Sequence, residues 1–585
     1  MKTERILHYP SILRGISERI RWRSSFGADA AVFAGLLAIL YALVASGRIW
    51  FAPFTPVATI SSRPQALPLY AAYSLVRIVI AYVLSLLFAL GYGLAAAKSE
   101  RAAKVMLPLL DILQSIPVLS FLPGVMLTMV ALFPGRQIGL ELGSILLIFT
   151  GQAWNIAFSF YASLKGIPRE LQEAARLYRF SAWQRFTELE LPFAAIGLVW
   201  NSMMSVAGGW FFLMACEMFV LGPRDFRLPG LGSYLQVAAS AGDTPAIIWG
   251  MAAMIAVIVL LDQLVWRPAI AWSDKFKFES VEGAAPQSFV LKLLRRSGAL
   301  AALYRSTIHP VEEQLTRSFA EKNAADGAKA EEAPNVFRKW SGRACGLAVL
   351  AILAWLAYRA FATIAQLGNH QLLLLGRDAA FTFLRVNAAL VLGALWAVPV
   401  GVWIGTTPRV AKFAQPLVQI AASVPATALF PVLLLLLIRT RGGMGIAAMA
   451  LILLGTQWYI LFNVIAGAMA IPTDLKEASS VFRFNRWERW RRLILPAIFP
   501  YLVTGMLTAS GGAWNASIVA EYFHFQGNIL YVRGLGAAIS RATDSGNLPV
   551  LLAATVLMSV IVVTVNRTLW QKLYHLAATR YKLET

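Results

Sequence analysis

The sequence predicts an all-α integral membrane protein, with about twelve membrane-crossing helices arranged as two parallel six-helix repeats. Three observations predict this. Of the 585 residues, 58% are hydrophobic and only 14% charged, against about 45–50% and about 25% in soluble domains; mean hydropathy is +0.63. Charge-free apolar runs such as 30–47 and 246–261 are close to the roughly 18 residues that cross a hydrocarbon core. Finally, the second half of the chain repeats the first.

Residues 1–28 form a basic arm. Ile12, Leu13, Ile16 and Ile20 recur at helical spacing among Arg14, Arg19, Arg21 and Arg23, which predicts an amphipathic helix along the cytoplasmic interface. The apolar run that follows is long enough to span rather than be cleaved as a signal. A first domain, 29–267, contains spans at about 29–48, 69–97, 106–133, 138–163, 193–220 and 244–266. Residues 268–341 are a polar, basic linker with Lys275, Lys277, Lys292, Arg295, Arg296, Arg305 and Arg317, cytoplasmic by the positive-inside rule. Its Ala-, Glu- and Lys-rich stretch 318–334 reads as a flexible or loosely helical joint. A second domain, 342–570, contains spans at about 343–366, 378–406, 411–438, 443–468, 497–523 and 547–567, and 571–585 is a tail. Pro117 and Pro425 fall inside the third span of each domain, which is expected to break there. Six spans per domain put the N- and C-termini on the same, cytoplasmic side as the basic linker.

The net charge of +22 lies in the arm, the loops and the linker. That placement excludes a nucleic-acid surface and fits retention of Lys and Arg on one membrane side. Cys216 and Cys345 lie in apolar segments, so neither a disulfide framework nor a metal site is expected.

An offset of 304 residues carries Trp154 to Trp458, Pro168 to Pro472, Glu173 to Glu477, Pro192 to Pro496, Trp210 to Trp514, Glu217 to Glu521, Gly230 to Gly534 and Trp266 to Trp570 without a gap. Upstream the offset is 308, taking Arg77 to Arg385, Ser115 to Ser423 and Pro117 to Pro425. Even-numbered repeats enter the membrane in the same direction, so the two halves are related by an axis along the membrane normal. A shared cavity is expected between them.

Between the fourth and fifth spans each half carries a long polar loop, 166–192 and 471–496. Pro168 and Pro472 suit a first helical position. Ser181 with Gln184, and Asn485 with Glu488, have the spacing of a capping box opening a second short helix. Each loop is therefore an elbow of two helices in the cytoplasm. Glu173-Ala174-Ala175 followed by Leu189-x-Leu191-Pro192, and Glu477-Ala478-Ser479 followed by Leu493-x-Leu495-Pro496, resemble the EAA signature of ABC importer permeases. Ser74–Arg77, Gln114–Pro117, Trp183–Phe186 and Gly230–Gly232 resemble phrases of the nitrate, sulfonate and bicarbonate branch, of which a fused, duplicated form is a variant. The resemblance covers most of both halves. It implies the type I importer permease fold, import of a small anion, and docking of the first elbow helix on an ATP-binding subunit.

Two elbows imply two copies of that subunit, with ATP and magnesium bound there, and leave room for a periplasmic or lipid-anchored substrate-binding protein. Gly-Lys does not occur in the chain, so the phosphate-cradling loop of an ATPase is missing; neither enzymatic activity nor a cofactor is expected here. Where the family usually has Gly between the elbow helices, this sequence has Arg179 and Arg483. The left-handed turn is therefore expected to shift to Ser181 and Asn485.

Within the spans, Arg77 and Glu217, and Arg385 and Glu521, lie at matched depth. Ionisable groups there pair or face a protein interior, so each pair is expected to brace its half; the alternative lines the path with the arginines. Gln152, Trp154, Asn155, Trp210, Gln457, Trp458, Trp514 and Asn515 form an uncharged cluster on the fourth and fifth spans. It reads either as helix packing or as a gate on the translocation path. An ion-gradient-driven transporter is the competing reading; it would need unpaired mid-membrane acids, for which Asp111 and Asp262 are the candidates.

Overall fold

The computed structural model describes residues 26–50, 60–221, 224–276, 288–308, 357–430, 443–525 and 528–580, with scattered positions at 310–318, 351–355 and 433. The basic arm, most of the linker, the first part of the seventh span and the later part of the ninth lie outside the described residues. Among the described residues, nine helices are long and apolar enough to cross a membrane, and a shorter apolar segment covers Val118–Leu132. The segment is the second piece of the broken third span.

In the first half, α1 (Phe26–Trp50) packs on α2 (Leu67–Lys98). The third span splits into α3 (Glu100–Ser115) and α4 (Leu122–Leu132) around Pro117, as its ring predicts. Then come α5 (Ile138–Lys165), the first elbow helix α6 (Arg169–Leu177), α7 (Leu191–Glu217), a short cross-helix α8 (Leu231–Ala241) and α9 (Thr244–Leu261). The second half repeats them as α10 (Asn369–Thr406), α11 (Pro408–Ser423), α12 (Gly443–Met469), α13 (Thr473–Val481), α14 (Leu495–Ala520), α15 (Leu535–Asp544) and α16 (Leu548–Val565). Two-stranded antiparallel hairpins, Val220–Leu221 with Arg224–Asp225 and Tyr522–Phe525 with Asn528–Tyr531, separate α7 from α8 and α14 from α15.

Each half is built on one packed triplet, α2–α5–α7 and α10–α12–α14. The third spans cross to the opposite half. The turn 118–121 after Pro117 lies against α14, and α3 meets α16. Reciprocally, α11 meets α7 and α9. This exchange joins the repeats about a twofold axis, and Leu119 N–H donates to Asn515 Oδ1 across it at 3.4 Å. A further tie joins the segment after the first domain to the start of α1: Ser297 Oγ donates to Asp29 Oδ1 at 2.7 Å.

Wider π turns interrupt matched helices at 185–190 and 490–494, and at 262–266 and 566–570. In three of them proline follows two residues later (Pro192, Pro496, Pro268). A proline ring clashes with the carbonyl four residues back, and adding a residue to the turn relieves that contact.

Candidate functional site

Both elbows reverse direction in the same way. In the first, Phe180 N–H donates to Ala175 O and Arg179 N–H to Arg176 O, each at 3.0 Å. In the second, Phe484 N–H donates to Ser479 O at 3.0 Å and Arg483 N–H to Ser480 O at 3.1 Å. This is the 6→1, 5→2 pattern that ends a helix through one left-handed residue. That residue is the arginine itself: φ is +52° at Arg179 and +49° at Arg483. Ser181 and Asn485 are extended, with φ −63° and −68°, so the expected shift of the turn does not occur. Both are already committed as caps. Ser181 Oγ accepts from Gln184 N–H while Gln184 Oε1 accepts from Ser181 N–H, and Asn485 and Glu488 repeat the exchange. A left-handed arginine costs about 1–2 kcal/mol more than glycine would. Pro168 and Pro472 also stand one position earlier than expected, at the residue preceding the first helical one.

The motif residues divide by face. Ala175 and Ser479 are buried, Ala174 and Ala478 half-buried, and Glu173 and Glu477 exposed. Small side chains thus let α6 and α13 lie close against the bundle while the carboxylates point away. Past them the helix ends are bare and apolar: Leu177 is 81% and Tyr178 60% exposed, Val481 78% and Phe482 73%. Leu191-Pro192 and Leu495-Pro496 start α7 and α14 directly after the π turns, where Arg185 Nε pairs with the buried Glu190 at 2.8 Å.

At the opposite end of α7, Arg77 and Glu217 meet: Arg77 Nη1 donates to Glu217 Oε1 at 2.8 Å and to Pro229 O at 2.8 Å. Sequence reasoning missed a third member. Glu141, in the first turn of α5, takes Arg77 Nε at 2.6 Å and Nη2 at 2.8 Å in a two-pronged pair. The remaining valences of Glu217 are filled by Ser74 Oγ at 2.7 Å and Gly232 N–H at 2.7 Å. It therefore sits at the N-terminus of α8, where backbone N–H groups are free for an anion. A Cβ on Gly230 would come within 2.3 Å of its carboxylate, which explains the glycine there.

The second half copies this frame around Glu521. Arg385 Nη1 and Thr382 Oγ1 donate to Glu521, as do Gly536 N–H at 2.8 Å and Ala537 N–H at 3.3 Å. Arg385 Nη2 reaches Arg533 O at 3.2 Å, the counterpart of Pro229. Gly534 abuts the carboxylate as Gly230 does. What is lacking is the third member: the positions related to Glu141 by the two offsets are Gly445 and Met449. Arg385 is 13% exposed, Arg77 1%.

The uncharged cluster is mostly helix packing. Trp210 and Trp514 are 2% and 1% exposed inside their bundles. Asn155 Nδ2 donates to Ser205 Oγ at 3.1 Å, linking α5 to α7, and Gln457 Oε1 accepts from Trp396 Nε1 at 3.1 Å, linking α12 to α10. Trp458 stands edge-on to Trp396, and Trp154 to Phe88. Gln152 is buried with both amide atoms unpartnered among the described residues, lying over Gly209. Of the eight, Asn515 makes the bond between the halves. Asp262 is paired with Arg267 at 3.1 Å, and the side chain of Asp111 lies outside the described residues.

A cavity of ≈ 140 Å³ does lie between the halves, but none of those eight residues lines it. Its wall is apolar (Leu119, Leu122, Phe219, Ile518, Phe523) with Gln236, Ser540, Thr543 and the Tyr522–Asp544 hydrogen-bonded pair as polar points. Gln236 Oε1 is buried and unpartnered among the described residues. No periodicity signals these residues, because the break in the third span, the ends of α7 and α14, the second hairpin, α8 and α15 bring them together from separate segments of both halves.

Comparison with known proteins places the chain. The family model described as "Binding-protein-dependent transport system inner membrane component" matches residues 85–265 and again 397–570. A nitrate import permease protein of Leptolyngbya laminosa is 29% identical over 170 residues, 29% of this chain and 57% of that protein. A bicarbonate transport system permease protein of a Synechocystis species is 31% identical over 137 residues (23% and 48%). The taurine transport system permease protein of Escherichia coli is 26% identical over 188 residues (32% and 64%). The chain thus spans about half to two thirds of the length of these curated relatives. The two matched stretches together cover more than half of the chain and carry one elbow each, so this protein belongs to the family of binding-protein-dependent transport system inner membrane components, with the module present twice.

Proposed function

We propose that this chain supplies both permease modules of an ATP-driven importer of a small anion, worked by two copies of a separate ABC ATP-binding subunit. The observation that carries the reading is the duplicated elbow. Two helices 304 residues apart end in the same hydrogen-bonded turn, each with an exposed carboxylate and an exposed apolar tip. Large side chains bared in matched pairs mark a surface meant to be covered.

In this reading the elbow face is cytoplasmic, as are both termini, and the protein sits in a bacterial plasma (inner) membrane. ATP and magnesium bind the partner, since no phosphate-cradling loop occurs here. Domains 29–267 and 342–570, joined by 268–341, move about the twofold axis. The cavity between them lies toward the face opposite the elbows, where a periplasmic or lipid-anchored binding protein would deliver solute. Arg77 and Arg385 brace their halves; their partners consume their charge. Relatives named for nitrate, bicarbonate and taurine support a small oxyanion or organic anion.

The test is ATP-dependent uptake of labelled nitrate, bicarbonate and taurine by proteoliposomes holding this chain and its ATPase. Glu173→Lys with Glu477→Lys is expected to abolish both uptake and stimulated ATP hydrolysis. Uptake that persists in that variant, or that follows an ion gradient without ATP, overturns the proposal.

A further inference from the structure

Arg179 and Arg483 are the described non-glycine residues with positive φ. The strain appears twice, at equivalent positions, where glycine would make the same turn freely. Neither guanidinium has a hydrogen-bond, ion-pair or ring partner among the described residues, and both are exposed. Among the described residues nothing therefore compensates for the unfavourable backbone. Strain kept at a surface position in both copies points to a use outside the chain.

The surroundings say what kind of use. Each arginine directly follows the bare apolar pair, Leu177-Tyr178 or Val481-Phe482. A left-handed residue fixes the direction of its Cα–Cβ bond relative to the helix just ended, so the side chain leaves the backbone in a set direction beside the apolar tip. We infer that Arg179 and Arg483 each reach a carboxylate at the rim of the recess that receives the neighbouring apolar pair on the ATP-binding subunit. The inference rests on the coupling role proposed above and names a contact within it. Charge on the second elbow agrees with it: Arg486, Arg489, Arg491 and Arg492 are also exposed, outnumbering the exposed carboxylates of Asp474 and Glu477, so the face as a whole suits an acidic partner surface. A layer of anionic lipid headgroups would accept cations in any orientation and would gain nothing from a strained, directed one. Guanidinium also favours a planar, two-pronged carboxylate contact over a point charge.

The experiment compares wild type with Arg179→Gly/Arg483→Gly and Arg179→Lys/Arg483→Lys. Two quantities are read: the thermal midpoint of the permease alone, and binding of the purified cognate ABC ATPase at two salt concentrations. The glycine variant is expected to melt above wild type, yet to bind the ATPase about tenfold more weakly, with a shallower salt dependence. The lysine variant should keep the salt dependence with reduced affinity. Unchanged ATPase affinity in the glycine variant overturns the inference, as does a midpoint no higher than that of wild type. Loss of binding to phosphatidylglycerol vesicles, with ATPase affinity intact, overturns it in favour of lipid. If wild type itself does not bind the ATPase, the failure lies in the proposed function instead.

Discussion

Removing Arg77 should be much more damaging than removing Arg385, although the two occupy equivalent positions. Arg77 stands between two carboxylates, each 0% exposed: Glu141 through a pair of bonds and Glu217 through one. Taking one partner from a buried ion pair costs about 3–5 kcal/mol, chiefly for the charge left behind. Arg77→Ala strands two such charges. Glu217 keeps Ser74 Oγ and Gly232 N–H, but Arg77 is the only partner recorded for the Glu141 carboxylate among the described residues. The loss should reach or exceed the upper end of that range. Arg385→Ala strands only Glu521, which retains Thr382, Gly536 N–H and Ala537 N–H; a loss near or below the lower end, about 3 kcal/mol, is expected. The assay is thermal unfolding of the detergent-solubilised chain followed by tryptophan fluorescence, with Arg77→Ala/Glu141→Gln as the partial rescue. An Arg385→Ala variant as unstable as Arg77→Ala would refute the reasoning, because the asymmetry rests chiefly on Glu141.

Exchanging the charges, with Arg77→Glu and Glu217→Arg together, should not restore a stable chain. The new carboxylate would face Glu141, and the new guanidinium would meet Gly232 N–H; recovery of the wild-type midpoint would contradict this geometry. Gly230→Ala and Gly534→Ala should each destabilise by about 1–3 kcal/mol, since a Cβ there displaces a carboxylate from its N–H donors. A midpoint unchanged in either variant counts against that close approach. Ala175→Leu should force α6 away from the bundle and lower the midpoint, by about 1–3 kcal/mol of overpacking, whereas Glu173→Gln, on the exposed face, should leave the midpoint unchanged. Equal effects of the two would argue against their different faces.

The membrane class, the duplication, the break at Pro117 and both elbows were legible in the residues, because each depends on local signals: apolar runs, proline, capping spacings and self-similarity. The depth match of Arg77 with Glu217 also sufficed to pair them, since buried charge in a bilayer has few alternatives. The left-handed turn was misplaced. A local rule favours Asn or Gly there, but Ser181 and Asn485 were already held by their capping partners, and the chain put the strain on arginine instead.

The sequence alone determined what this protein is made of: six apolar segments in each of two copies and a pair of polar elbows, all set by short-range chemistry. Tertiary structure decided the rest. It brought Glu141 to Arg77 across 64 residues, crossed the third spans between halves, buried Trp210 and Trp514 inside their bundles, and lined the shared cavity with Gln236, Ser540 and Thr543. Those outcomes depend on which helix faces meet, and a periodic apolar run around its whole circumference does not specify a face.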